Sequence, residues 1–352
     1  MNTITINQPP NSLLSHMACY GLASICEDSG LGDIRIGWTE GMEPRPAIDT
    51  VAEPEAVAQI VIDHASAHTS PRSWPGQSVP HDVKRALMSP RLGKFGSAEV
   101  WSAVQSERHR VLDELTLPNA RRPLDLRMIR ALGEPCYWRV YEQGPSKGEP
   151  RQDDGASRLE MQPRNQGSEF IGSRLRKAGE HAAARSPMNV LEALAGSSLH
   201  DGTGKNRPDS RSAAGLQPPG PVDDVVSWCA LWGIASAPTT YRLDARAQTS
   251  ICLRIGRREY FYVPLWRGRW MPARLRTVLA SRQLTEAARS LLDPASAPTR
   301  SHENILWLLD RGVAALVIFP VEVHGSASAP ERRAALGSVH RLSGAQAGRP
   351  QQ

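Results

Sequence analysis

The sequence predicts an α+β fold of mixed helices and small antiparallel sheets, with two or more subdomains and a disordered C-terminal tail. Three observations carry this expectation. Apolar residues recur at helical spacing in several segments, short alternating runs flank Gly-rich turns, and neither a βαβ alternation nor an internal repeat runs through the 352 residues. Composition shifts divide the chain into an N-terminal α+β region (1–142), a flexible basic central region with helices (143–222), a C-terminal α+β region (223–325) and the tail (326–352).

The elements follow in order. "TITI" reads as a strand, and the stretch after it as a helix. There Leu13, Leu14, Met17, Ala18, Leu22 and Ile25 repeat at helical spacing between a cap at Asn11 or Ser12 and a stop at Gly30. "DIRIGWTEGMEPRPAI" predicts a β-hairpin, and "EPEAVAQIVIDHASAH" a helix opened by acidic residues and a proline. Residues 69–96 are turn-rich and too long for a simple connector, which marks a working loop. An amphipathic helix follows over 97–115, then a strand in "PCYWRVYEQG" and a linker over 143–158. Helices are expected at 168–182 and 187–195, and a Gly/Pro/Ser-rich loop at 196–222. "DDVVSWCALWGIA" predicts a buried helix, and "TSICLRIGRREYFYVPLW" two strands joined at Gly256–Arg257. Three helices, "MPARLRTVLASRQL", "TEAARSLL" and "SHENILWLLDRG", precede a final buried strand, "AALVIFPVEV".

A net charge of +6 and a pI near 9.3 favour an anionic partner. Arginine greatly outnumbers lysine, which suits bidentate phosphate or base-edge contacts and is also what a GC-rich genome would produce. The five cysteines are scattered, and the polar start "MNTITINQPPNS" lacks the charged and apolar regions of a signal peptide, so a reduced, cytoplasmic protein is expected. The longest apolar run, "GVAALVIFPVEV", has strand length, so no membrane association is expected.

Catalytic patterns fail one by one. His64 and His68 have the spacing of two zinc ligands, but the word is "HASAH", without the glutamate base of a zinc protease. Cys19 and Cys26 are seven apart and read as core thiols. "GTGK" at 202–205 lacks the earlier glycine, with Leu199 in its place, and has Asn206 where a phosphate loop needs Ser or Thr. Such a loop could still hold a phosphate backbone through its N–H groups. Glu107, His109 and Asp113 fall on different faces of one helix, and no nucleophile-elbow word occurs. The expectation is a protein that is not an enzyme, with no cofactor and no metal.

The basic stretches carry more. Residues 242–276 hold nine arginines against Asp244 and Glu259, interleaved with Tyr260, Tyr262, Trp266 and Trp270. Either these stack on arginine or on bases, or a strand pair turns its aromatics inward and its arginines outward. Residues 162–177, "QPRNQGSEFIGSRLRK", place Arg164, Asn165 and Gln166 before a helix start and Arg174, Arg176 and Lys177 on it. Arg174 and Lys177 share a face while Arg176 projects elsewhere, which favours a loop-plus-helix-start phosphate contact over a basic face.

Four stretches together resemble a known family. "NSLLSHMACYGLASICEDSG…DIRIGWTE", "LMSPRLGKFGSAEVWSAVQSERHRVLDEL", "RNQGSEFIGSRLRK" and "DDVVSWCALWGIASAPTT" are similar to large subunits of type I CRISPR surveillance complexes (Cascade). The resemblance implies a non-catalytic subunit that reads a protospacer-adjacent motif on target duplex DNA and helps open the duplex. The implied partners are crRNA, target DNA, other Cascade subunits and the helicase-nuclease recruited on target binding. The chain departs from that pattern in being short and in having strands in its C-terminal third, where many relatives carry a helical bundle. Loop length and donor density single out Arg72, Trp74, Gln77, Lys84, Arg85, Arg91 and Lys94 in the 69–96 loop, with Trp74 as an aromatic wedge. Lys205, Asn206, Arg207 and Arg211 are the second loop's contribution. Two other readings stay open: a metal-dependent defence nuclease, and an interaction scaffold whose arginines meet acidic protein surfaces.

Overall fold

The computed structural model describes residues 1–80, 82–92, 97–118, 122–160, 169–241, 245–296, 301–326 and 329–343. Strand β1 (Asn2–Thr5) leads into helix α1 (Leu13–Asp28), then β2 (Arg35–Trp38) and β3 (Pro46–Thr50). These three strands form an antiparallel sheet in the order β1-β3-β2, so the expected hairpin recruits the first strand as well. Ser12 occupies the N-cap of α1 without capping through its side chain. Gly30, at φ +86°, ends the helix as its sequence position predicts.

α1 is apolar nearly all round because it is buried all round, from Leu13 to Cys26. Its main partner is the later helix Asp224–Gly233, and two glycines make that contact possible. A Cβ on Gly21 would stand 1.8 Å from the Cys229 carbonyl oxygen, and one on Gly233 would stand 2.1 Å from the Met17 carbonyl oxygen. The backbones therefore touch where side chains would normally separate them. Around this pair lie α2 (Pro54–Thr69), the short hairpin β4 (Ser78–Val79) and β5 (Asp82–Ala86), α3 (Ala98–Thr116) and α4 (Pro123–Leu132). A π-helical turn, Glu169–Leu175, runs into α5 (Arg176–Ala183), followed by α6 (Pro187–Ala195) and α7 (Asp224–Gly233). The α7 start is capped by Asp223, whose carboxylate accepts the Val225 N–H at 2.9 Å.

The C-terminal half is built on a second antiparallel sheet. After the two-residue pair β6 (Thr239–Thr240) and β7 (Gln248–Thr249) come β8 (Cys252–Ile255), β9 (Arg258–Trp266), α8 (Pro272–Leu279), α9 (Arg282–Leu292) and α10 (Ser301–Asp310). β10 (Val313–Ser326) then pairs with β9 on one side and, on the other, with β12 (Ser338–Arg341) near its start and β11 (Ala329–Ala334) near its end. The two halves are stitched directly, since Ile36 and Trp270 exchange both backbone hydrogen bonds at 2.8 Å. Buried side chains from Ile4 to Leu342 belong to one contiguous core.

Several expectations need correction. Residues 135–144 form no ladder strand; only isolated bridges, Val140 with Pro150 and Tyr141 with Lys147, tie that stretch down. The linker at 143–158 packs at its far end, where Asp154 to Glu160 are all buried. The reason is charge pairing: the Asp154 carboxylate meets Arg139 at 3.3 Å, Arg151 at 3.1 Å and Arg246 at 2.8 Å. Helices α8 and α9 break at Ala280–Ser281, four residues earlier than read, because Ser281 caps the Leu284 N–H. The expected tail is strand over β11 and β12, since the edges of β10 offer ladder partners that no local pattern reveals. Residues 344–352 of that tail lie outside the described residues.

Because carbonyl oxygens cannot retreat like side-chain tips, Gly21→Ala and Gly233→Ala should each cost roughly 3 kcal/mol or abolish folding. Gly172→Ala, with open space around it, should cost less than about 1 kcal/mol. Urea midpoints compare the three, and an unchanged midpoint for Gly21→Ala would contradict the close helix contact.

Candidate nucleic-acid interface

Three basic segments, distant in sequence, border one short helix. The π-helical turn and α5 carry Arg174, Arg176 and Lys177. The 3-10 turn Trp74–Gly76 of the first loop touches that π-helical turn. Gly179 brings α5 close to the end of α2, where a Cβ would sit 3.4 Å from Thr69 Cγ2 and 2.9 Å from the Trp228 ring. On the other side Gly202 lies against His181, with room for a Cβ only 2.6 Å from Cε1. His181 follows Lys177 by one helical turn, so Lys177 and the 202–207 loop share a side of α5.

Within this arrangement the residues singled out by sequence take different parts. Arg72, Lys177, Lys205 and Arg207 are exposed, and none forms a salt bridge among the described residues. Arg176 is half-buried and lies 3.7 Å from Glu180, an i,i+4 pair. Arg174 and Arg85 are half-buried. Lys94, Arg164, Asn165 and Gln166 lie outside the described residues, as does the side chain of Lys84. The loop-plus-helix-start contact expected at 164–166 therefore also lies outside them.

Trp74 and Arg91 are corrected to core positions, Arg211 and Gln77 are engaged by neighbours, and the phosphate-loop expectation fails. Trp74 is 3% exposed and meets Trp232 edge to face at 6.2 Å, so it is a core residue and no wedge. Arg91 is 1% exposed: Asp153 lies 3.3 Å from its Nε, and its Nη2 donates to the Glu160 carbonyl at 3.1 Å. Arg211 is committed to Glu331 at 2.5 Å, and Gln77 accepts from Arg110 at 3.0 Å while donating to the Arg72 carbonyl at 3.2 Å. The "GTGK" loop has no free N–H groups for a phosphate. Asp224 accepts from Gly202 and Thr203 at 2.6 and 3.2 Å, Asp201 accepts from Gly204 at 2.7 Å, and Asn206 Oδ1 accepts the Asp201 N–H at 2.8 Å. Internal carboxylates occupy the seat that an anion would take, leaving Lys205 and Arg207 at the loop's outer rim.

Over its described residues the arginine-rich 242–276 segment follows the second reading, aromatics inward and arginines outward. Tyr262, Trp266 and Trp270 are buried, whereas Arg254, Arg257, Arg258 and Arg267 are exposed. Other arginines hold the fold: Arg269 meets Asp49 at 2.6 Å, Arg276 is bidentate on Glu27 at 2.7 and 3.0 Å, and Arg274 stacks on Trp270 at 4.3 Å. The exposed trio at the β8–β9 turn, Arg254, Arg257 and Arg258, was visible in sequence as a basic hairpin flanking Gly256 and was not among the residues singled out.

His64 and His68 also take structural places. Their rings lie 4.3 Å apart and pack on Trp228 and Trp232. His68 Nδ1 meets the His64 carbonyl at 2.6 Å and its Nε2 meets Asp125 at 2.7 Å, while burial holds His64 well below the usual histidine range. Among the described residues no three His, Cys, Asp or Glu side chains are grouped as a metal site. Burial likewise pushes the Cys19 and Cys26 thiols up to about 12, and neither is in a disulfide.

A buried ionic cluster joins the first loop, the central region and β11. Glu160 lies beside Arg91 and Arg332, and Arg158 forms a bidentate pair with Glu259 at 2.6 and 2.8 Å. Burial raises the Glu160 carboxyl from 4.5 to about 7, against the pull of Arg91 and Arg332.

No protein-family model matches this chain, and no curated protein is significantly similar to it.

Glu160 gives a pH signature. Its folded-state pKa lies above the unfolded value, so its contribution is complete below pH 4.5 and is lost as pH rises through about 7. Across that window the wild type should lose on the order of 3 kcal/mol relative to Glu160→Gln. Urea titrations at several pH values read the difference, and parallel curves would refute the assignment.

Proposed function

We propose that this protein is a non-catalytic nucleic-acid-binding subunit of a type I CRISPR interference complex, acting on target duplex DNA beside a bound crRNA. The observation that carries the reading is the convergence of three basic segments on α5. It leaves Arg72, Lys177, Lys205 and Arg207 exposed without carboxylate partners among the described residues. Cations in that state are the ones most available to phosphates, because a cation already paired with a carboxylate must break that pair before it neutralises a phosphate. The four sequence stretches that resemble Cascade large subunits support the same reading, and two of them, 164–177 and 223–240, contribute the π-helical turn with the first two residues of α5, and α7.

In this reading the cations around α5 position the duplex by its backbone, and protospacer-adjacent motif recognition falls to groups on the flanking loops. Arg72 is the exposed side chain of the first loop best suited to a base edge, since a guanidinium can address guanine in a bidentate manner. Recruitment of the helicase-nuclease and contacts with other Cascade subunits belong to the same proposal and use surfaces away from α5.

Fluorescence anisotropy with a labelled duplex tests it. Affinity should fall steeply with salt, and Lys177→Ala/Lys205→Ala/Arg207→Ala together should weaken binding roughly tenfold or more and flatten the salt slope by about 2 to 3. Arg72→Ala should change preference among duplex sequences more than affinity for all of them. Binding without salt dependence, or an unaltered slope in the triple variant, would sink the proposal and favour an interaction scaffold.

A further inference from the structure

A second uncompensated basic feature stands at the turn between β8 and β9. The ladder runs from Cys252↔Phe261 to Ile255↔Arg258, which leaves Gly256 and Arg257 as a two-residue turn. Gly256, at φ +57°, supplies the left-handed backbone that such a turn needs. A Cβ there would meet no described group within 4 Å, and Arg254, Gly256, Arg257 and Arg258 are all exposed. The turn is thus the uncovered end of a two-stranded ribbon. Below it the ribbon is anchored, with Leu253 and Phe261 buried and α9 packed on β8.

The carboxylates beside the ribbon are engaged elsewhere. Glu259 is the only acidic residue between Asp244 and Glu286 in the sequence. Both of its oxygens accept from Arg158, at 2.6 and 2.8 Å. Glu286 of α9 lies between Arg282 at 3.7 Å and Arg289 at 3.4 Å, and Glu322 of β10 meets His324 at 3.0 Å. Arg254, Arg257 and Arg258 enter no salt bridge among the described residues. Arg254 Nε donates to the Gly256 carbonyl at 3.1 Å, which holds that guanidinium over the turn.

The three cations are also spread around the tip. Arg254 stands opposite Glu259 on one face of the ribbon, Arg258 stands opposite Ile255 on the other, and Arg257 is at the end. Because β8 is an edge strand, a charge on it blunts pairing with other chains. Edge protection accounts for Arg254 alone, since Arg257 is on the turn and Arg258 on the inner strand β9. Cations on both faces and at the end match a groove with negative charge along both rims. The major groove of B-form DNA is about 12 Å wide and admits a two-stranded ribbon, whereas the minor groove is about half as wide. The major groove of an RNA duplex is too narrow for side chains to read.

We propose that the β8–β9 hairpin seats in the major groove of duplex DNA. Arg254 and Arg258 meet phosphates on opposite rims, and Arg257 reaches base edges. This inference rests on the duplex reading above and adds to it a contact on a different element from α5.

Fluorescence anisotropy of the full chain over a salt series tests it with three labelled duplexes. These are a DNA duplex, the same sequence as duplex RNA, and the DNA with its cytosines glucosylated through a 5-hydroxymethyl group, which fills the major groove. Arg254→Gln/Arg258→Gln should weaken binding to plain DNA roughly tenfold and lower the salt slope by about 2. The melting temperature should stay unchanged, and Lys at both positions should restore the slope. Arg257→Gln should alter preference among DNA sequences. Glucosylation should weaken the wild type severalfold and the Gln variant much less. If the wild type binds DNA with steep salt dependence and the Gln variant binds as well, this inference falls and the α5 reading stands. An equal loss in the Gln variant on RNA and on glucosylated DNA makes the arginines a general phosphate contact and overturns the groove seating. A wild type that binds no duplex overturns both.

Discussion

Everything in this fold is arranged around two helices whose backbones meet. At Gly21 and Gly233 the chain gives up side chains so that α1 and α7 can approach within carbonyl contact. Close approach of two fully buried helices lets their remaining apolar residues, Met17, Leu22, Trp228 and Trp232 among them, fill the space on either side at interior packing density. The N-terminal sheet, α2 and α5 then pack on this pair, and the Ile36–Trp270 backbone exchange draws the C-terminal sheet onto the same core. The position of α5, and with it the meeting of the basic segments, follows from how this pair is packed. Gly179 lets α5 lie directly on the Trp228 ring.

The chain's positive charge is distributed by burial more than by composition. Arg91, Arg108, Arg158 and Arg332 are inside, each desolvated and answered by carboxylates or carbonyls. Breaking such a cluster by removing one partner is costly, although the intact cluster adds little net stability. Its use is positional: Arg91 from the first loop, Glu160 from the central region and Arg332 from β11 are brought to one point. That geometry ties the segment after the first loop to the last strands and leaves Arg72, Lys177, Lys205 and Arg207 facing out. A protein with the same net charge and the opposite distribution would have no exposed basic surface at α5.

Carboxylates govern the second loop in a comparable way. Asp201, Asp223 and Asp224 satisfy the backbone N–H groups of residues 200 and 202–204 and of the start of α7. Lys205 and Asn206 adopt positive φ values of 57° and 53°, held there by the Asp201–Asn206 hydrogen bonds. The loop is built as a rigid rim that presents Lys205 and Arg207, and it cannot act as a phosphate cradle.

What the sequence determined by itself is the set of elements with a strong local cause. α1, α2, α6 and α7 follow from periodicity, prolines at first turns and capping residues, and the β8–β9 hairpin follows from alternation about Gly256. The absence of recognisable catalytic words and the location of the basic segments were also legible, because both depend on residue identity alone. Tertiary structure decided the rest. Whether Arg72 or Arg91 reaches solvent, whether Trp74 is a wedge or a core ring, and whether 329–342 forms strands depend on partners far away in sequence. A guanidinium in an arginine-rich loop reads the same locally whether a buried carboxylate or water awaits it, and the free-energy difference between those fates is set by desolvation, which only the folded chain defines.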